Sequence, residues 1–166
     1  MRKFKKGVVL LLAAVLAMVV LTACGGDGPS GTQIFLQKVN DLRVEYGTTG
    51  TIVQDKTLNR RVSAILSTKY QKVLDGTMNG AEWNRYRYNE VIGTTVKTEH
   101  GNVRITYIDV YKIAPVRFMN GNYDLNTSLN EYARNTLGLL PAGYVGLTTV
   151  LNGGDVHVIA LFGTPC

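Results

Sequence analysis

The chain of 166 residues contains only two cysteines and two histidines, which limits the chemistry that it can carry. Two cysteines, Cys24 and Cys166, do not make a disulfide framework. They are also too few for a structural zinc site built on thiolates, which draws on about four ligands. The histidines, His100 and His157, do not stand in a ligand pattern such as His-x-x-x-His. No serine lies in a Gly-x-Ser-x-Gly segment, and no glycine-rich stretch matches a phosphate-binding loop. These absences predict no metal ion, no cofactor and no catalytic residue.

The first two dozen residues have the pattern of an export signal. Four basic residues within the first six precede an almost wholly apolar stretch, which ends in Leu-Thr-Ala-Cys at positions 21–24. This ending resembles the lipobox of bacterial lipoproteins, in which the cysteine thiol is joined to a diacylglycerol and the chain is cut just before the cysteine. The resemblance implies that residues 1–23 are removed as a signal peptide and that Cys24 becomes the lipid-bearing N-terminus.

A retained transmembrane anchor is the alternative interpretation of this segment. The apolar residues 8–22 are fewer than the ~20 that a spanning helix needs, and the cysteine stands at the correct end of them, so lipidation is the preferred interpretation. Both interpretations place the rest of the chain at the cell membrane, on its extracytoplasmic face. The sequence does not indicate whether the envelope has one membrane or two.

Removal of the signal changes the charge of the chain. Of the 18 lysines and arginines, 14 remain against 12 acidic residues, so the formal net charge falls from +6 to +2. No nucleic-acid partner is predicted, because binding to phosphates requires a strongly basic surface. The remaining 143 residues are a usual size for one domain. Residues 24–32 are predicted to be the lipidated N-terminus with a glycine-rich linker, and residues 33–166 a single domain.

Hydrophobic spacing predicts helices first, strands in the middle, one later helix and a closing hairpin. The helices are expected over residues 35–46, 56–74 (capped by Asp55), 82–88 and 124–137, and the strands over 91–96, 103–113, 144–151 and 156–162. The second strand is expected to alternate strictly, with Val103, Ile105, Tyr107, Asp109 and Tyr111 on one side. This order predicts an α+β fold, an α-β-α sandwich with a central antiparallel sheet.

Three stretches of the chain carry a resemblance to a known family. They are Phe35–Arg43, with its Val39-Asn40 pair and nearby arginine, Asp55–Asn59, and Leu140–Gly146 followed by Val156–Gly163. A fourth segment, Asn89-Glu90-Val91-Ile92, weakly resembles a Gly-Glu-Asn-Ile box. Together they resemble the CAP superfamily of cysteine-rich secretory, antigen 5 and pathogenesis-related proteins, in its bacterial SCP-like form. The resemblance covers most of residues 33–163 and implies the family's sandwich fold.

The chain departs from that family in its cleft. The family's cleft commonly holds two histidines and two acidic residues that bind a metal, whereas Arg134 or Asn135 falls near one histidine position here. The resemblance therefore implies a degenerate cleft, with Glu90 as the matching acidic residue. A domain that binds rather than catalyses is predicted, and its candidate ligand-binding residues are Tyr88, Glu90, His100, Tyr107 and Tyr144.

The ligand class stays open at this point. A small apolar molecule, a glycan and an envelope protein are all compatible with a cleft rich in tyrosine, because tyrosine combines a large apolar area with a polar tip. The alternative function is a weak extracytoplasmic hydrolase that uses Glu90 with a nearby His100. A steric or structural lipoprotein is the third class. Cys166, the last residue of the sequence, is interpreted as an idle thiol or as the source of an intermolecular disulfide or a reactive thiol.

Overall fold

A mixed five-stranded sheet forms the centre of the domain. The computed structural model describes residues 30–166, so the predicted signal peptide and Cys24 lie outside the described residues. The strands are β1 (Ile52–Gln54), β2 (Thr95–Thr98), β3 (Gly101–Ile113), β4 (Gly143–Asn152) and β5 (Asp155–Pro165), in the order β1-β4-β5-β3-β2. The α+β class is confirmed, but the sheet is not wholly antiparallel as predicted, because β1 pairs with β4 in parallel. The long stretch of chain between these two strands makes a parallel pairing feasible.

Two groups of helices surround this sheet. The first part of the chain forms α1 (Gly31–Glu45) and α2 (Lys56–Ile65). Helix α2 continues through a π-helical turn (Leu66–Tyr70) into α3 (Gln71–Leu74). Helix α4 (Gly80–Tyr86) follows and continues into a second π-helical turn (Arg87–Val91). Between β3 and β4 lie α5 (Pro115–Asn120), α6 (Leu125–Ser128) and α7 (Glu131–Gly138). None of the helices over residues 30–166 has the length and apolarity that crossing a bilayer requires.

Helices cover both faces of the sheet, and each face has its own hydrophobic cluster. One cluster joins α1, α5, α6 and α7 to the side chains of β5 at even positions, such as Val158 and Phe162. The other joins α2, the first π-helical turn and α4 to the odd positions of β5, such as Ile159 and Leu161. Because alternate residues of a strand point to opposite faces, the nearly continuous hydrophobic run of β5 reflects its place inside the sandwich.

Helix α1 begins inside the segment that the sequence predicts as linker. Ser30 caps it: its hydroxyl accepts a hydrogen bond from the Gln33 backbone N–H, and the Gln33 side chain accepts one from the Ser30 N–H. This reciprocal pair is a capping box, which satisfies two N–H groups that a helix start otherwise leaves free. Helix α2 starts at Lys56 with Asp55 as its cap, as predicted.

Three other elements differ from the sequence prediction. The strand expected over 91–96 is β2 (Thr95–Thr98), because Arg87–Val91 forms a π-helical turn. Strand β3 has a bulge between Ile105 and Tyr107, so Val103 and Ile105 face the α2 cluster while Tyr107 faces the α1 cluster. One extra residue in a strand reverses its alternation, and strict alternation was therefore the wrong expectation. The helix predicted over 124–137 is two helices, because Leu129 is extended and Asn130 starts a new cap.

The closing hairpin has the predicted turn. Asn152 pairs with Asp155, and Gly153 and Gly154 between them have positive φ angles of 60° and 90°. A two-residue turn with both φ angles positive matches the twist of the strands and favours glycine. In the β2–β3 hairpin, Thr98 pairs with Gly101, which leaves Glu99 and His100 as the two turn residues.

A buried arginine ties α1 to the loops around it. The guanidinium of Arg43, which has no exposed surface, donates from Nε to the Leu140 carbonyl at 2.8 Å and from Nη1 to the Gly50 carbonyl at 2.8 Å. It also donates from Nη2 to the Thr49 carbonyl at 3.1 Å. Asn40, three residues earlier, makes two hydrogen bonds to the backbone of Ile52 in β1. The Asn-Arg pair of the first family-like stretch therefore holds edge strand β1 and its flanking loop.

Candidate functional site

The five candidate ligand-binding residues do not line one cleft. His100 and Tyr144 contact each other, Tyr88 and Glu90 lie on the second π-helical turn, and Tyr107 is buried in the α1 cluster on the other face of the sheet. The bulge in β3 is the reason for the position of Tyr107, because it moves this side chain to the face opposite to that of Ile105. The candidate residues thus divide into a cluster around His100, an exposed turn and a buried polar network.

The cluster around His100 is built by the β2–β3 turn where it meets the start of α2. The imidazole of His100 stacks on the ring of Tyr144, with centroids 4.7 Å apart and planes 5° from parallel. Its Nε2 lies 3.9 Å from Oδ2 of Asp55 and 3.7 Å from Oε1 of Glu99. The His100 side chain is 40% exposed, whereas that of Asp55 is completely buried. A half-exposed imidazole therefore covers a buried carboxylate.

Asp55 is held in place by two elements. Its backbone N–H donates to the Val145 carbonyl in β4 at 2.9 Å, and its Oδ1 accepts the Leu58 N–H at 2.8 Å as the cap of α2. The other carboxylate oxygen, Oδ2, accepts no hydrogen bond from any described residue. A buried carboxylate oxygen without a donor is unfavourable, because it has lost its hydration and gained no partner. The sequence predicted Asp55 only as a helix cap, since its approach to His100 depends on tertiary packing.

The exposed turn carries Tyr88 and Glu90. The Tyr88 residue is 58% exposed, and the Glu90 side chain is 61% exposed. Glu90 Oε2 lies 4.0 Å from Nζ of Lys69 in the first π-helical turn, and this ammonium also lies 4.8 Å from the centroid of the Tyr86 ring. The two π-helical turns therefore pack against each other, and π-helical turns occur frequently at functional sites.

Glu90 and His100 are far apart. Glu90 lies beside Lys69, and His100 lies beside Asp55, and these two partners are separated by 14 residues of one continuous helix. At 1.5 Å per residue, their backbones are about 20 Å apart. The structure therefore does not assemble the pair of side chains that the hydrolase alternative needs.

The buried network includes Tyr107. Arg87 Nη1 donates to Oδ1 of Asp109 at 2.7 Å, and the Tyr107 hydroxyl donates to Oδ2 of the same carboxylate at 2.7 Å. Burial raises the pKa of Tyr107, and the hydrogen bond to Asp109 together with its negative charge raises it further. A tyrosine that stays protonated and is 8% exposed has a structural role here, fixing the side chain of Asp109 within β3.

The second histidine is also buried. Nδ1 of His157 and the Tyr70 hydroxyl are 2.8 Å apart, in a hydrogen bond that joins β5 to the first π-helical turn. Burial lowers the pKa of His157, the positive charge of Lys112 lowers it further, and Asp155 acts weakly in the opposite direction. His157 is thus a packed, hydrogen-bonded residue, as its place on a hydrophobic strand indicates.

A separate pocket of about 180 Å³ lies on the other side of the domain, between α1 and α6. Its lining includes Lys38, Glu45 and Asp124, and none of the candidate ligand-binding residues. Asn126 Nδ2 donates to Glu45 Oε2 at 2.7 Å across it, so these two polar groups are already paired with each other. Cys166 is exposed and unpaired among the described residues.

Comparison with protein families, with curated proteins and with solved structures finds no match for this chain.

Proposed function

We propose that the chain is a lipid-anchored lipoprotein of the bacterial cell envelope, with one CAP-like domain on the extracytoplasmic side that works by binding rather than by catalysis. The lipobox around Cys24 supports the anchor. The start of α1 supports a short tether, because its cap is Ser30, six residues after Cys24. Six extended residues reach about 20 Å at most, so the domain lies close to the bilayer.

The CAP-like assignment is supported by helices on both faces of the sheet and by the three family-like stretches. Asn40 and Arg43 of the first stretch make the contacts that hold β1. Asp55 of the second stretch caps α2, and β4 and β5, which contain most of the third, form the closing hairpin.

Binding is supported chiefly by the exposed turn that carries Tyr88. Tyrosine is enriched at protein interfaces, and this ring is more than half exposed on a π-helical turn whose inner side is fixed by the buried Arg87 and Val91. A tyrosine exposed on such a turn suits an envelope protein better than a small apolar ligand or a short glycan, since those bind in concave pockets. No observation favours the hydrolase alternative, because the helix residues beside Glu90 and His100, which are Lys69 and Asp55, lie about 20 Å apart.

The anchor is tested with Cys24→Ser in the full chain. Membrane and soluble fractions of a bacterial host are compared for the wild type and the variant, after metabolic labelling with a palmitate analogue. The proposal predicts label and loss of residues 1–23 for the wild type and neither for the variant, which keeps its apolar signal because cleavage depends on the lipidated cysteine. An unlabelled wild-type chain that stays in the membrane fraction with residues 1–23 attached would indicate a retained transmembrane anchor instead.

Binding through the exposed turn is tested by photocrosslinking in the same cells. A photoreactive phenylalanine analogue replaces Tyr88 in one variant and Tyr132 in a matched control, because Tyr132 is 69% exposed and lies on α7. The proposal predicts a discrete adduct from position 88 that is absent from position 132. It is contradicted if position 88 gives no adduct, or if both positions give the same set.

A further inference from the structure

Three potential metal ligands meet at the cluster around His100. A metal site there is a property beyond the proposed function. A carboxylate oxygen of Asp55, a carboxylate oxygen of Glu99 and a ring nitrogen of His100 all lie within 4.8 Å of one another. They come from the start of α2 and from the β2–β3 turn, which are 44 residues apart in the sequence at their nearest. Ligands this far apart in the sequence have no short spacing from which a metal site could be predicted.

The buried oxygen of Asp55 is the observation that separates this cluster from an ordinary group of surface charges. Asp55 is completely buried, its Oδ2 lacks a hydrogen-bond donor among the described residues, and this oxygen is aimed at His100 Nε2. The distance of 3.9 Å between them is too long for a hydrogen bond, which requires about 3.2 Å or less. At that distance the imidazole does not satisfy the hydrogen-bonding capacity of the oxygen.

A metal ion between the three atoms would satisfy that oxygen. Zinc lies about 2.0–2.2 Å from imidazole nitrogen and carboxylate oxygen, which places neighbouring ligand atoms of a tetrahedral site about 3.3–3.6 Å apart. The distances of 3.9 Å and 3.7 Å from His100 Nε2 to the two carboxylates are only slightly longer. The side chains of Glu99 and His100 are 58% and 40% exposed, so small movements of these two side chains are enough to close the site around the fixed Asp55.

The ligand types narrow the choice of metal. One imidazole with two carboxylates is a mixed nitrogen and oxygen set, and imidazole favours zinc and other first-row transition ions over magnesium and calcium. The site already has one fixed ligand in Asp55, and the ring plane of His100 is set by its stacking on Tyr144. Three protein ligands with an exposed side leave the fourth position for water.

We propose that Asp55, Glu99 and His100 bind one divalent transition-metal ion, with Zn²⁺ as the best match. Binding fastens the β2–β3 turn to the start of α2, because the three ligands come from these two elements. The metal site and the exposed turn with Tyr88 lie at different ends of the α2–α3 helix, so loss of one leaves the other in place.

The proposal is tested by titrating the full chain with ZnCl₂ in a Cys166→Ser background, which removes the free thiol. Calorimetry gives the number of sites, and NMR of the side-chain resonances gives their place. The chain contains only two histidines, and the buried His157 is an internal control. One equivalent of zinc is expected to shift the ring resonances of His100 and to leave those of His157 unchanged. Unmoved His100 resonances would overturn the proposal.

Matched variants decide which carboxylates are ligands. Asp55→Asn keeps an oxygen to cap α2, since asparagine is as good a helix cap as aspartate, but it puts an amide in place of the charged oxygen. Glu99→Gln changes an exposed ligand, and Glu90→Gln changes an equally exposed carboxylate at the distant turn. Zinc affinity is expected to fall about tenfold or more in the first two variants and to stay unchanged in Glu90→Gln.

Two results would contradict the proposed three-ligand zinc site. The first is zinc affinity in Glu99→Gln equal to that of the wild type, which stays informative even if Asp55→Asn fails to fold. The second is binding of Mg²⁺ or Ca²⁺ as tight as that of Zn²⁺, because an imidazole ligand does not favour those ions. A rise in melting temperature with zinc that Glu99→Gln abolishes would support the site, since a ligand bound to the native state stabilises it.

Discussion

Replacement of Arg43 by methionine is predicted to be one of the most destabilising single changes in this domain. The variant keeps a long apolar stem but removes every donor of the guanidinium. Carbonyl oxygens of Leu140, Gly50 and Thr49 then lose their partner. Hydrogen bonds to charged groups contribute about 1.5–3 kcal/mol each, but water can reach the exposed residues 49 and 50. We therefore expect a loss of about 3–5 kcal/mol in the free energy of unfolding.

The assay is equilibrium unfolding in urea, followed through the fluorescence of Trp83, the only tryptophan and a buried one. Arg43→Lys is the matched variant. It keeps the positive charge and loses the planar fork that reaches three carbonyls, so an intermediate loss is expected. A free energy of unfolding for Arg43→Met within about 1 kcal/mol of the wild type would refute the reasoning, because that is the size of an average substitution.

Three further changes follow from other contacts. Gly146→Ala should destabilise the domain by about 1–3 kcal/mol in urea unfolding, because its Cβ would overlap the Leu58 backbone of α2; an unchanged midpoint would contradict this packing. Asp55→Ala should have a free energy of unfolding about 1 kcal/mol lower than that of Asp55→Asn, since asparagine still caps α2 and alanine does not. Equal free energies of unfolding for the two variants would argue against the cap. The lowered pKa of His157 means that the unfolded chain binds its proton more readily than the folded chain. Stability should therefore fall as pH drops below about 6.5, the ordinary imidazole value, and it should fall less steeply in His157→Gln when unfolding is measured at pH 7 and pH 5.

The sequence predicted the elements whose signals are local. The cap at Asp55, the end of the following helix near Gly76 and the turn at Gly153-Gly154 agree with the structure, because capping and turn chemistry act over a few residues. The hydrophobic run of β5 also predicted its central place. The parallel pairing of β1 was not predictable, because three residues carry too little pattern to fix an orientation.

The site was harder to predict than the fold. The bulge near Thr106 adds one residue to β3 and sends Tyr107 to the opposite face, and no turn or glycine signal marks it. The approach of Asp55 to His100 joins the start of one helix to a hairpin turn, a contact set by packing between α2 and the sheet. Among the five ligand-binding candidates, His100 and Tyr144 stack on each other and Tyr88 and Glu90 share one turn, but the two pairs do not meet.

Intact-mass measurement with a thiol count tests the proposed lipoprotein most directly. The full chain is expressed in a bacterial host, purified in detergent, denatured and treated with a maleimide that adds one known mass per free thiol. The proposal predicts a chain that begins at Cys24, carries the mass of the lipid and reacts at one thiol, that of Cys166. A chain that retains residues 1–23 and reacts at two thiols would contradict it.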